Sequence, residues 1–163
     1  MNSEAEYPGD WVQIARRVKE EAEWRCVRCG HPAEDVGKRI ECDDHCDPAR
    51  HPGGLNDGRQ RILTVHHLDG DKSNCRWWNL AALCQVCHLI IQGKVDMDRC
   101  WPFSHSEWFK PYVAGYYAYH FGLPDDHEVA ATYTTKLIAL GQGRVAKEDV
   151  ESAISQSPPD RDG

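Results

Sequence analysis

Residues 78–88 read WNLAALCQVCH. An apolar run, Leu80 to Leu83, delivers the chain into Cys84-x-x-Cys87, and His88 follows at once. Two cysteines two residues apart at a tight turn form a metal knuckle, because the turn aims both sulfurs at one point. A second knuckle lies more than fifty residues upstream, in WRCVRCGHP (residues 24–32), where Cys26-x-x-Cys29 runs into Gly30 and Pro32. Four thiolates paired in this way make a closed tetrahedral site for Zn2+ with no open position, so this zinc is structural. It staples together distant segments and contributes folding free energy to a chain whose core is modest.

Composition bounds the rest. The 163 residues suit one domain with extensions, and the 40% hydrophobic content with six Trp and six Tyr supports a real but small core. No run of 18 apolar residues occurs, which excludes a helical membrane span. The start, MNSEAEYPGD, is polar and acidic, unlike a signal peptide. A cytoplasmic setting is expected, where thiols stay reduced and eight cysteines point to metal rather than disulfides. The net charge of −7 is unevenly spread: residues 1–10, 40–58 and 121–163 carry −3, −4 and −4, whereas 11–39 and 59–120 each carry +2. The mildly basic middle permits phosphate binding without demonstrating it.

Four segments are expected. Residues 1–23 form an N-terminal helical extension, with Asp10 capping a helix to about Glu23 that carries Trp11, Ile14, Ala15, Val18 and Ala22 on one face. Residues 24–93 form the zinc module, interrupted at about 34–60 by an aperiodic insertion rich in Asp, Gly, Pro and Arg. Within it RILTVHH reads as a strand, LDGDKSNCR as a polar loop, and His88 to about Gly93 as a short helix. Residues 94–141 hold two further helices, SHSEWFKPYVAGYYAYHFGL, interrupted near Pro111, and EVAATYTTKLIALG. Residues 142–163 are polar, end in QSPPDRDG, and are expected to be a disordered tail.

Taken in order, CVRCG, LTVHHLDGD, WWNLAALC and CQVCH resemble the HNH endonuclease family, over roughly residues 24–93. The resemblance is closest to the small HNH proteins of phages and bacteria. It implies an α+β fold: a zinc-stapled ββα-metal, treble-clef-like module carrying helical extensions at both ends. It also implies roles. His67 matches the first His of the motif, the general base that activates water. His66 holds the preceding position, a ligand of the catalytic metal. Asn79 matches the Asn that braces the loop carrying the base, and His88 matches the final His, the second metal ligand. DNA is the implied substrate, with Mg2+ or Mn2+ as the catalytic ion. Phage packaging or host DNA-processing proteins are the implied partners, and no membrane is involved.

The residue types suit that chemistry. An imidazole titrating near neutral pH is an effective base for water. A cation on only two protein ligands keeps open positions for phosphate and water. An amide such as that of Asn79 can brace a loop without competing for the proton. Lys72 and Arg76, together with Arg25, Arg28 and Lys94, are candidate phosphate contacts. Trp77 and Trp78 are expected to pack the small core, and WFKPYVAGYYAYHF to pack a helix rather than stack bases. In ECDDHCDPARH, Cys42, His45, Cys46 and His51 supply enough ligands for a second metal, or are a polar loop that happens to hold them. A non-catalytic zinc-ribbon binding module and an HNH-type ribonuclease are the competing functions.

Overall fold

The apolar run ahead of the second knuckle is a strand. In the computed structural model, which describes residues 7–34, 40–51, 53–56, 58, 60–92 and 107–156, Leu63–His67 (β1) and Leu80–Cys84 (β2) pair as an antiparallel hairpin. The register sets Leu63 opposite Cys84, His66 opposite Ala81 and His67 opposite Leu80. A single 3-10 turn, Trp77–Asn79, leads into β2. An unbroken apolar run of this length fits a buried strand or a helical segment equally well by pattern. Its character follows here from β1 alongside it and from helices on both sides, which leave all of Leu80–Cys84 buried.

Those helices are α1 (Trp11–Glu21) and α2 (Gln85–Ile91), both packed on the hairpin. Successive strand residues face opposite ways. Thr64 and His66 meet His88 of α2, while His67 meets Trp11 of α1. The expected stripe Trp11, Ile14, Ala15, Val18 and Ala22 is half-buried, and Val12 on the opposite side is exposed. The N-terminal helix therefore packs on the module's hairpin through a half-buried face rather than standing apart as an extension. Asp10 precedes α1 but makes no side-chain capping bond, contrary to expectation; its backbone carbonyl accepts from Gln13 and Ile14. The short helix after the second knuckle begins at Gln85, earlier than the pattern indicated, because the Cys84 sulfur accepts from Cys87 N–H and caps it. Trp78 is buried and Trp77 half-buried, as expected.

The chain divides into two compact units, Met1–Met97 and Asp98–Gly163. The second is helical: α3 (Lys110–His120), α4 (His127–Thr132), α5 (Thr134–Gly141) and α6 (Lys147–Ser155). The aromatic run forms α3, and Pro111 sits in its first turn, where a missing N–H costs nothing, rather than interrupting it. The helix expected over EVAATYTTKLIALG breaks at Tyr133, where the Thr134 hydroxyl takes the carbonyls of Ala130 and Ala131. A β-carbon on Gly141 would fall 2.3 Å from the Tyr117 ring, so only glycine lets α3 and α5 approach there. The expectation of disorder from residue 142 is corrected over Lys147–Ser155. Val150 of α6 is 1% exposed, and the Tyr133 hydroxyl donates to Ala153 O, so a polar helix is held by a few buried contacts. Residues 157–163, Lys94 and Cys100 lie outside the described residues.

Candidate functional site

The first knuckle is a tight turn. Cys26 N–H donates to His31 O and Gly30 N–H to Cys26 O, and Val27 N–H reaches Ala82 O of β2. This last bond lays the knuckle against the hairpin end that carries Cys84. Cys26, Cys29, Cys84 and Cys87 are all buried, and their four sulfurs lie within 4.8 Å of one another. The Cys29 and Cys84 sulfurs are 4.0 Å apart. Zinc–sulfur bonds of about 2.3 Å give a tetrahedron with edges of about 3.8 Å, so the cluster could hold a structural zinc with little movement. The seven cysteines among the described residues are free of disulfides.

The surroundings carry the matching charge. Zinc on four thiolates has a net double negative charge. The Arg61 Nη1 donates to Cys84 Sγ at 3.5 Å and the Arg28 Nη1 to Cys87 Sγ at 3.4 Å. Arg61 is 1% exposed, an extreme burial for a guanidinium, which requires an anionic neighbour. Burial pushes the Cys26 thiol up, and hydrogen bonding to Cys26 pushes Cys29 up, whereas donation from those two holds Cys84 and Cys87 down. The two sulfurs favoured as thiolates include both that face an arginine. Sequence reasoning missed Arg61, since nothing in RQRILTV marks that arginine as buried.

A second group of residues lines an open cleft of about 490 Å³: Tyr7, His66, His67, Asp69, Lys72 and His88 among them. The His66 and His88 rings lie 4.4 Å apart. The Thr64 hydroxyl donates its single proton to Leu83 O at 2.8 Å, so at its 3.1 Å contact with His88 Nδ1 the imidazole must donate. That assignment puts the His88 proton on Nδ1 and its lone pair on Nε2, the nitrogen able to take a cation. Burial, then the neighbouring His88 and His67, push His66 down to about 4. Burial also lowers His88. Both rings are therefore neutral at physiological pH, the state in which imidazole binds metal. Thr64 was also missed; a threonine on a strand gives no signal until the pairing places it under His88.

His67 is 5% exposed and lies under Trp11 and Tyr7, at 4.8 Å and 5.8 Å between ring centres. Its Nε2 is buried without a hydrogen-bond partner. Burial lowers its pKa, opposed by Asp69 and Asp71. Beyond it the chain turns through a loop held by Asn79, which is fully buried. The Asn79 side chain accepts from Asp69 N–H at 2.8 Å and donates to Asp69 Oδ1 at 2.7 Å and Asn74 O at 2.8 Å. Asn74 closes the ring by donating to Asp69 Oδ2 at 2.7 Å. Asn79 thus ties Asp69 to Asn74 across the loop, and both Asp69 oxygens are engaged.

No family model, curated protein or solved structure matches this chain. Its chemistry must be read from its own residues. Of the candidate phosphate contacts, Lys72 lines the cleft with its ammonium 5.0 Å from the Tyr7 ring, and Arg76 is exposed on the same loop. Arg25 and Arg28 are corrected. The first is committed to a bidentate pair with Asp43 at 2.9 and 2.6 Å, the second to Cys87 and to Arg50 O. His45 is exposed and stands apart from Cys42, Cys46 and His51; His31 joins those three instead.

Proposed function

We propose that the chain is a metal-dependent DNA endonuclease of the HNH type, a ββα-metal module in which His67 is the general base and His66 and His88 hold a divalent cation. The observation that carries this reading is the cleft itself: two neutral imidazoles with ring centres 4.4 Å apart, a third lining the same cleft, and a buried asparagine tying down the loop that follows the base's strand. Binding alone does not require that arrangement. When bound, the cation supplies Lewis-acid stabilisation of phosphate charge and of the departing oxygen. His66 and His88 orient it, with Thr64 fixing the tautomer of His88. Two nitrogen ligands favour Mn2+ over Mg2+, which prefers oxygen. His67 has Nε2 sealed, so Nδ1 is the nitrogen that takes the proton from water. Lys72, on the rim, attracts the phosphate backbone.

The test is cleavage of supercoiled plasmid and of a matched RNA with Mg2+, Mn2+ and Ni2+ in turn. Metal-dependent nicking or linearisation of the plasmid is expected. DNA binding without cutting under every ion would favour the zinc-ribbon alternative, and cutting of RNA alone the ribonuclease.

Two further outcomes belong to this site. The base must be neutral, and its pKa lies below the ordinary 6.5. Cleavage is therefore expected to hold steady at neutral pH and to fall as pH drops, with the midpoint of the acid limb under 6.5; a midpoint above 7 in a pH–rate profile would contradict a buried base. Replacing Thr64 with Val keeps the shape but removes the hydroxyl, and should weaken Mn2+ binding about 10- to 100-fold. Titration of free Mn2+ by electron paramagnetic resonance reads this directly, and unchanged affinity would remove Thr64 from the site.

A further inference from the structure

We propose that this chain holds a second zinc ion, on His31, Cys42, Cys46 and His51, and that this ion clamps the insertion, at residues 42–51, onto the first cysteine knuckle. The four donor atoms lie within 4.8 Å of one another. His31 Nδ1 is 3.2 Å from His51 Nε2, 3.6 Å from Cys42 Sγ and 3.8 Å from Cys46 Sγ, and Cys42 Sγ is 3.3 Å from His51 Nε2. A tetrahedral zinc with bonds of about 2.3 Å to sulfur and about 2.05 Å to nitrogen has N–N edges of about 3.3 Å and S–N edges of about 3.5 Å. The cluster has those proportions, and its two thiolates would neutralise the ion. His31, Cys46 and His51 are buried and Cys42 half-buried, so the site is closed and structural rather than catalytic.

The surrounding backbone is built for it. Asn56 N–H donates to Cys42 Sγ at 3.2 Å, while its side chain accepts from Cys42 N–H at 2.9 Å. The insertion also docks directly on the first knuckle. Asp47 N–H donates to Cys29 O at 2.9 Å, Arg28 reaches Arg50 O, and Arg25 grips Asp43. Gly30, at φ +75°, lies so close to the insertion that a β-carbon there would fall 2.0 Å from His45 O. Cys29 and His31, two residues apart on one turn, then serve two different ions. The described residues of the insertion form no helix or strand, so these contacts and the proposed ion are what hold it on the knuckle.

The experiment is zinc counting on the purified full chain, joined to X-ray absorption at the zinc edge. Two ions per chain are expected, with a first shell averaging three sulfurs and one nitrogen. Cys42→Ser should lower the count to one and shift the shell to four sulfurs, while His45→Ala, at a residue outside the cluster, should keep both ions. One ion per chain with an all-sulfur shell in the wild type overturns the proposal, and so does retention of two ions by Cys42→Ser. If the Cys42→Ser chain fails to fold, the wild-type count and shell decide by themselves. Neither readout involves cleavage, so the second zinc stands or falls separately from the nuclease reading.

Discussion

His67→Ala is expected to reduce metal-dependent DNA cleavage by about 10²- to 10⁴-fold, the range that a positioned general base contributes. His67 stands at the end of β1, with the loop after it anchored independently through Asn79. Removing the imidazole therefore leaves the backbone route through the site unchanged. The vacated space under Trp11 should lower stability by about 1–3 kcal/mol, in keeping with other truncations of buried groups. The decisive comparison is with His66→Ala. A base variant keeps Mn2+ affinity and loses turnover, whereas a ligand variant loses both. Single-turnover nicking with a parallel Mn2+ titration separates them. Cutting by His67→Ala at the wild-type rate would falsify the assignment of the base, and loss of Mn2+ binding alongside turnover would turn His67 into a ligand.

Cys84→Ser should abolish the folded state of the first unit. Cys84 does four things at once: it ends β2, caps α2 through Cys87 N–H, accepts from Arg61, and belongs to the four-thiol cluster. Structural zinc contributes about 10–16 kcal/mol in zinc-finger peptides, against net stabilities of about 5–15 kcal/mol for whole domains. Loss of the cluster also removes the sulfur that the buried Arg61 guanidinium donates to, a further destabilisation. Backbone amide spectra should lose their dispersion over the hairpin and α1, and zinc content should fall. Full zinc content with a preserved melting temperature would show that the cluster binds no structural ion. A chelator of modest strength should behave differently, removing a cation held only by His66 and His88 and stopping cleavage while amide dispersion persists.

Much of this was legible in the residues because metal chemistry is written in short spacings. Two CxxC turns announce a shared cluster before any contact is known, since each pair is preorganised by its own turn. The strand character of LTVHH and the helical stripe of α1 follow from local periodicity. Asn79 was legible as a brace only through its position in a motif; its two partners, Asp69 and Asn74, come from the loop after β1, and no local pattern names them.

The misses share one cause. The second cluster recruits His31 instead of His45, although His45 lies between Cys42 and Cys46 in sequence. Sequence proximity says nothing about which way a loop residue points. His45 is turned outward, and His31 arrives from a knuckle against which the insertion folds back. Arg25 and Arg28 look like phosphate contacts in a string, but in space Arg25 pairs with Asp43 at the surface and Arg28 donates to Cys87. The tail at 147–155 is too polar to announce a helix, yet Val150 and the contact from Tyr133 suffice to hold one.

The sequence by itself determined the four-cysteine cluster, the α+β character of the module and the short list of imidazoles, because those depend on residue type and on spacing within one turn. Only the tertiary structure decided how the imidazoles divide. Pairing β1 with β2 puts Thr64 and His66 on the side of α2 and His67 on the side of α1, since side chains alternate across a strand. The same fold brings Thr64 to His88, Arg61 to Cys84 and His31 to Cys42, contacts made by chain segments that no local rule could bring together.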